Sequence, residues 1–418
     1  RMCARDKDYP VHHTSAWTEE LHISVNNTVP QFGQFYLIQN AGKDEEKKLP
    51  YENGMFIKGD NWRLEGTVVD NDGISKVQIG STEVTDKSEY KDSVTKYTGF
   101  TVRVPVDTEN ENFTVELTAY DSDKGITTSK YNINVDNTPP AFKDGANDNT
   151  LVLFAGEHGK TKIDSENYVQ NSNGWTTIAS KASEAGSGFA RAVFYVERYK
   201  SKVGDTYTNR RFYNVMTGGR INASDVTMNE DKLPVVKKEI SEVEGDHYSF
   251  TVGELNEHIR IGGLVIIGNI YKKITDITDD ENGTVTITVS EKIESAWTDG
   301  KQNAQFVYAF VVDHTGESTD SDGNVKYDDG DGIVESLTKS ANEYTWDASF
   351  DSHNIPDGPL TINVVVFDVA GNSRHGSVVT RITNNPPRIT SVKLGTDLNY
   401  NGEIQDTDTY SEYTKFYA

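Results

Sequence analysis

The sequence predicts an all-β chain of tandem antiparallel β-sandwiches, one of them carrying an inserted small β-barrel-like domain. Three observations carry that prediction. Short runs alternate apolar and polar residues between Gly, Asn and Asp turns; residues 200–305 show no helical periodicity; and a Pro-containing phrase is written three times along the chain.

The phrase reads Val25-Asn26-Asn27-Thr28-Val29-Pro30, then Val135-Asp136-Asn137-Thr138-Pro139-Pro140, then Ile382-Thr383-Asn384-Asn385-Pro386-Pro387. Proline cannot donate to a sheet ladder, so each copy marks a strand end and a junction between units. Upstream lie Phe113-Thr-Val-Glu-Leu-Thr-Ala-Tyr-Asp121 and Leu360-Thr-Ile-Asn-Val-Val-Val-Phe-Asp368, each aspartate 19 residues before the last Pro of its phrase. The chain start, Met2 to Asp8, reads as the end of the same piece, so the chain is expected to open inside a penultimate strand and to be a segment of something longer. The fronts of the units correspond too: Trp62 to Gly66 followed by Gly73-Ile74 parallels Trp175 to Ala179 followed by Gly188-Phe189. Each reads as two strands joined by a polar turn. Alternation places Trp62, Val68, Val77, Val102, Val115, Leu117, Trp175, Phe194, Ile362, Val364 and Val366 in the cores.

The second interval between phrases exceeds the first by about 137 residues, a surplus that needs a fold of its own. The stretches 259–268, 271–277 and 284–289 read as short strands of an inserted barrel-like unit projecting from a loop. Phe306 to Asp313 reads as a strand returning to the host sheet. The expected units are therefore 1–29 (the end of a preceding sandwich), 30–139, 140–199 plus 306–386 (split), 200–305 (the insert) and 387–418 (the start of a following sandwich).

Composition narrows the function classes. The chain has 418 residues with a net charge of −24, which argues against binding a phosphate backbone through Lys and Arg. No apolar run approaches the roughly 20 residues of a bilayer-spanning helix. Cys3 is the only cysteine, so an intrachain disulfide or a Cys-based zinc site is impossible.

The wording of Ile355-Pro-Asp-Gly-Pro-Leu to Asp368-Val-Ala-Gly-Asn372 resembles the last third of bacterial immunoglobulin-like (Big-type) repeats, and Val135 to Pro140 resembles their junctions. The resemblance covers 31–138 and, interrupted, 141–385. It implies immunoglobulin-like sandwiches in an exported, extracellular bacterial surface protein, of the kind that builds adhesins, surface layers and stalks. The partners it implies are neighbouring repeats of the same protein, with self-association or a cell-surface or host ligand as further partners.

For a cofactor the chain offers calcium. In the loop from Asp397 to Asp408, the residues Asp397, Asn399, Asn401 and Glu403 with Asp408 at position 12 and Gly402 at position 6 fit a calcium loop, because Ca²⁺ takes six to eight oxygens and Gly permits the sharp turn. Two neutral Asn ligands, an Asp at position 12 and no flanking helices depart from that pattern; an ordinary Asn/Gly turn is the alternative. A second acidic loop, Asp320 to Gly332, fits less well and reads as solvated. A third candidate is junctional: Asp121 and Asp123 with Asp136 and Asn137 resemble the Asp-x-Asp and Asp-Asn elements by which cadherin repeats stiffen their joints. Asp6, Asp8, Asn26 and Asn27 repeat that pattern; Asp368, Ala370 and Thr383 do not.

Enzymatic signals are weak. There is no His-Glu-x-x-His pair, and His12-His13 and Asp313-His314 read as turn residues. The expectation is a non-enzymatic stalk, filament or adhesin segment with the insert as its partner-contact module. The alternative is the accessory, carbohydrate-binding or spacer region of a large secreted exoenzyme.

Overall fold

The computed structural model of the chain describes residues 28–91, 98–143, 152–155, 161–162, 168–169, 175–204, 206–255, 259–279, 283–293, 303–313, 318–319, 325–326, 334–340, 342–382, 395–396 and 409–410. Their regular structure is nearly all strand. Two single turns of 3₁₀ helix, Ala223–Asp225 and Ser352–Asn354, are the helical segments among them, and no helix is long and apolar enough to cross a membrane.

The first sandwich has ten strands: β1 (Gln31–Gln39), β2 (Lys47–Pro50), β3 (Met55–Ile57), β4 (Trp62–Asp70), β5 (Ile74–Ile79), β6 (Thr82–Glu83), β7 (Lys87–Lys91), β8 (Thr98–Pro105), β9 (Asn112–Asp121) and β10 (Ile126–Val135). They make two five-stranded sheets, β2-β1-β4-β8-β7 and β3-β10-β9-β5-β6. Leu37, Leu64, Val68 and Val102 from one sheet meet Val77, Val115, Leu117 and Ile133 from the other in a single core, as period-2 alternation requires. Gly66 faces the ring of Phe35 so closely that a Cβ would lie 2.4 Å from it, so only glycine fits in the middle of β4.

The second sandwich begins with β11 (Ala141–Lys143), β12 (Val152–Ala155), β13 (Thr161–Lys162), β14 (Tyr168–Val169), β15 (Trp175–Ser183) and β16 (Phe189–Arg198). A hairpin of β17 (Ser201–Val203) and β18 (Thr206–Thr208) follows, then β19 (Arg211–Tyr213) and β20 (Arg220–Asn222). The insert contributes β21 (Thr227–Met228), β22 (Pro234–Val243), β23 (Ser249–Gly253), β24 (Leu264–Ile267), β25 (Ile270–Asp279), β26 (Thr284–Val289) and β27 (Asn303–Val307). The chain then returns through β28 (Phe310–Val312), the short pair β29 (Ser318–Thr319) and β30 (Val325–Lys326), β31 (Val334–Ser340), β32 (Glu343–Asp351), β33 (Gly358–Asp368) and β34 (Ser373–Ile382).

One sheet of this sandwich runs β13-β12-β15-β32-β31 with β11 also on β15; the other runs β14-β34-β33-β16-β19-β20 with β28 on β16. Phe194, Ile362, Val364 and Val366 fill the core with Trp346 and Phe350, so Trp346 is a packing residue. Of the core residues expected from alternation, all are buried except Trp175, whose side chain lies outside the described residues. The two units share their turn geometry: Gly73 and Gly188, matched in sequence, have φ of 89° and 93°, which disfavours any other residue.

The insert is barrel-like. Its pairings run β22–β23–β26–β25–β24–β27 and back to β22, around Phe250, Val265, Ile287 and Phe306. Two sequence readings change here. The run Phe306 to Asp313 is not one returning strand: its start belongs to β27, paired with β22 and β24, while β28 pairs with β16. Nor does the insert project from a loop. Leu264, Ile266, Val235 and Val307 pack on Val193, Tyr195, Val365 and Phe367 of the host sheet's outer face, because that face is itself apolar.

Candidate metal centre

The site is built from three strand ends. β10 delivers Asp136, β15 delivers Glu184 and β33 ends in Asp368; their carboxylates are 6%, 4% and 2% exposed, with one oxygen from each lying within 4.8 Å of the others. Two oxygens on opposite sides of one Ca²⁺, each about 2.4 Å from it, stand about 4.8 Å apart, so the three fit a single ion.

Backbone amides hold each carboxylate in place. Asp136 accepts from Thr138 N at 3.0 Å and Ser187 N at 2.7 Å, Glu184 from Gly186 N at 2.7 Å, and Asp368 from Asn372 N at 2.7 Å and Asn372 Nδ2 at 2.8 Å. A Cβ on Gly186 would fall 2.3 Å from Asp136 Oδ2, so the loop after β15 must be bare to let the linker in. No Lys, Arg or His forms an ion pair with these carboxylates among the described residues. Burial pushes the Asp368 carboxyl up to about 6, against the hydrogen bonds from Asn372, with the Asp136 and Glu184 charges adding to the rise. Burial also raises Glu184, against the Gly186 amide, and the Asp136 charge adds to it. Three buried like charges with no counter-charge are costly, and a divalent cation is what removes that cost.

The same residues brace the joint between the sandwiches. Asp136 N donates to Ile57 O at 2.9 Å and Gly59 N donates to Asn137 Oδ1 at 2.6 Å, fixing the linker to the first unit. From the second unit, Asn372 Nδ2 donates to Asp136 O at 2.8 Å and Arg374 Nε to Pro140 O at 2.6 Å, while Lys58 Nζ of the first unit donates to Gly371 O.

The first sandwich carries the same frame. Asp70 Oδ1 accepts from Asp72 N at 2.9 Å, and Asp121 Oδ1 from Asp123 N at 2.8 Å and Gly125 N at 2.7 Å, with both aspartates buried. Asp121 Oδ2 is buried without a hydrogen-bond partner.

The junctional reading of the sequence named Asp136 but gave it the wrong companions. β10 carries the chain from the turn beside Asp121 to the linker, ten residues at about 3.3 Å each, so Asp121 and Asp123 sit at the far end of the first sandwich from Asp136. Asp136 instead meets the loops of the following unit. Glu184 was missed; its signal was its place just after the strand that repeats Trp62–Asp70. The loop residues Asp397, Asn399, Asn401, Glu403 and Asp408 lie outside the described residues, between Gly395–Thr396 and Thr409–Tyr410, which pair antiparallel. The acidic loop 320–332 lies outside them too, apart from Val325–Lys326.

No family model matches the chain, Big-type repeats included, and no curated protein matches it. Among solved structures it is similar to the C-terminal domain of the antigen I/II polypeptide BspA of Streptococcus agalactiae, at 8% identity and a TM-score of 0.21, over 83% of this chain and 99% of that one. It is also similar to the C-terminal domain of the Streptococcus pyogenes antigen I/II-family protein AspA, at 8% identity and a TM-score of 0.19, over 85% and 100%. A Ca²⁺-stabilised adhesin with which an Antarctic bacterium binds ice is similar at 12% identity and a TM-score of 0.16, over 80% and 100%. Likeness this weak does not bear on the site or its chemistry.

Proposed function

We propose that the chain is a segment of an extracellular stalk or adhesin in which calcium stiffens the joint between successive sandwiches. The observation that carries this reading is the convergence of Asp136 from the linker with Glu184 and Asp368 from the next unit, all buried and without a cationic side chain. A spacer needs joints that do not bend. A buried cation shared by a linker and a domain supplies that stiffness, and carboxylates whose pKa values are raised without it release protons when it binds. Extracellular modules work at roughly 10⁻⁴–10⁻³ M calcium, the range in which such a joint would be loaded on a cell surface. The sandwiches would span 30–139 and, interrupted by the insert, 140–386, with β19 and β20 in the second sandwich's own sheet, flanked by parts of further repeats at 1–29 and 387–418. The insert is the module placed for contact with a partner.

Small-angle X-ray scattering of this chain in millimolar calcium and after chelation tests the proposal. A compact globule of this length has a radius of gyration near 22 Å. A rod-like profile well above that value, loosening on chelation and indifferent to calcium in Asp368→Asn, is expected. A compact profile overturns the stalk, and an extended profile indifferent to chelator removes the metal from it.

A further inference from the structure

Where the insert, the second sandwich and the first sandwich meet, a cleft of about 1100 Å³ inverts the charge of the chain around it. A chain with a net charge of −24 lines this cleft with seven Lys and Arg against four Asp and Glu. Its walls are tied across both gaps, by Asn269 Nδ2 donating to Glu46 O at 3.3 Å and by Lys58 Nζ donating to Gly371 O.

Two of the cations have no carboxylate in ion-pair contact among the described residues. The side chains of Lys47 and Arg191 are half-buried and make no hydrogen bond or ion pair among the described residues. The Arg191 guanidinium stands 5.7 Å from the ring centres of both Tyr271 and Phe367, and its Nε is buried without a partner. Burial lowers the pKa of both groups, with the Lys58 charge adding to the effect at Lys47. The carboxylates around them, Glu230 and Asp231 near Lys47 and Asp231, Glu291 and Asp313 near Arg191, act through space without pairing with them. Asp231 accepts from Tyr271 Oη at 2.7 Å and Ser373 Oγ at 2.6 Å, and Asp313 accepts from Lys273 Nζ at 2.9 Å. A partly desolvated cation without a partner is stabilised by an anion brought from outside.

The rest of the lining selects among anions. Asn53 and Gln305 are among the lining residues, as is Tyr248, which is 42% exposed. Polar side chains, an accessible aromatic residue and a surplus of cations suit a sugar bearing acidic groups, and an acidic peptide is the competing occupant that the test separates from it.

We propose that this cleft binds an acidic saccharide, its carboxylate or sulfate groups held by Lys47 and Arg191. The cleft shares the Lys58–Gly371 tie with the calcium joint, so calcium is held constant throughout its test. Isothermal titration calorimetry of the full chain in calcium buffer, with hyaluronan hexasaccharide, 3′-sialyllactose, maltohexaose and hexaglutamate as probes, tests it. At least one acidic saccharide should bind about tenfold or more tighter than maltohexaose and hexaglutamate, and weaken as salt rises from about 50 to about 300 mM. Lys47→Gln and Arg191→Gln should each weaken it about tenfold or more, the loss of a hydrogen bond to a charged group. Arg191 is packed between two rings, so if Arg191→Gln melts early, Lys47→Gln decides. The proposal is overturned if neither acidic saccharide outbinds maltohexaose, if hexaglutamate binds as tightly, or if Lys47→Gln binds as the wild type does.

Discussion

Asp121 and Asp368 hold the same position in two successive sandwiches. Each accepts on Oδ1 the amide of the residue four places on, Gly125 or Asn372, at 2.7 Å, and each donates its own N–H to that residue's carbonyl at 3.1 Å. They differ in what completes them: Asn372 Nδ2 donates to Asp368 Oδ2, while Gly125 has no side chain and Asp121 Oδ2 is left alone.

That difference sets the first prediction. In Asp121→Asn the remaining oxygen still serves the Asp123 and Gly125 amides, and an NH₂ replaces the unpartnered oxygen. A Cβ on Gly125 would lie 2.2 Å from that oxygen and 3.1 Å from the carbonyl of Thr28, so that carbonyl is on the same side of the turn as the new NH₂. Urea unfolding in chelator should show a gain of about 1 kcal/mol. A loss of stability would mean that the oxygen has a use in the cation-free chain.

Asp368 makes the joint pH-sensitive when no cation is bound. Its carboxyl is raised from 3.8 to about 6, so the folded chain keeps a proton that the unfolded chain gives up. The resulting stability is complete below about pH 4 and lost as the pH rises through about 6, up to about 3 kcal/mol. Melts in chelator should therefore fall more steeply with pH in the wild type than in Asp368→Asn. Millimolar calcium, which takes the deprotonated carboxylate, should flatten or reverse the slope. Parallel pH curves for the two proteins would contradict the assignment.

Gly186→Ala places a methyl 2.3 Å from Asp136 Oδ2. The expected cost is about 1–3 kcal/mol, by overpacking, together with weaker calcium binding. Gly245→Ala, with nothing within 4 Å of the added Cβ, is the control and should be nearly neutral. Denaturant midpoints with and without calcium separate the two effects; equal midpoints for both variants would show that the loop yields.

Phe367→Ala should loosen the insert from its host. Phe367 is 1% exposed on the host sheet's outer face and meets the Tyr271 ring edge-on at 5.4 Å between centroids. A cost of about 3–5 kcal/mol is expected. Hydrogen exchange should quicken on both β33 and the barrel strands facing it. Barrel amides that stay as protected as before would show that docking does not depend on Phe367.

Much of the fold is legible in one dimension because a strand's side chains alternate and a turn's φ constrains its residues. The junction from Val135 to Pro140, the paired glycines 73 and 188 and the shared register of Asp121 and Asp368 all appear in space where the spacing puts them, while the other two copies of the phrase lie largely outside the described residues. The Asp136–Glu184–Asp368 site was only half legible. Asp136 stood out as a linker carboxylate, but its companions lie 48 and 232 residues further on, and the strand direction of β10 had to be followed to find which end of which unit it meets.

The contrast between β9 and β33 shows where the sequence ends and the tertiary structure begins. Both segments alternate in the same register, and that alone determined which residues face each core: Val115 and Leu117 in one, Ile362, Val364 and Val366 in the other. β9 leaves its second face largely open, whereas β33 is buried on both, with Val365 and Phe367 under the insert and Asn363 donating to Glu197 Oε1 at 3.1 Å. The apolar Val-Val-Val-Phe run is the composition that a strand covered on both faces requires. Only the folded chain decided that the insert lies there, and with it the cationic cleft and the carboxylate joint. Alternation is a property of neighbouring residues, whereas the burial of a second face and the meeting of charges depend on segments far apart in sequence.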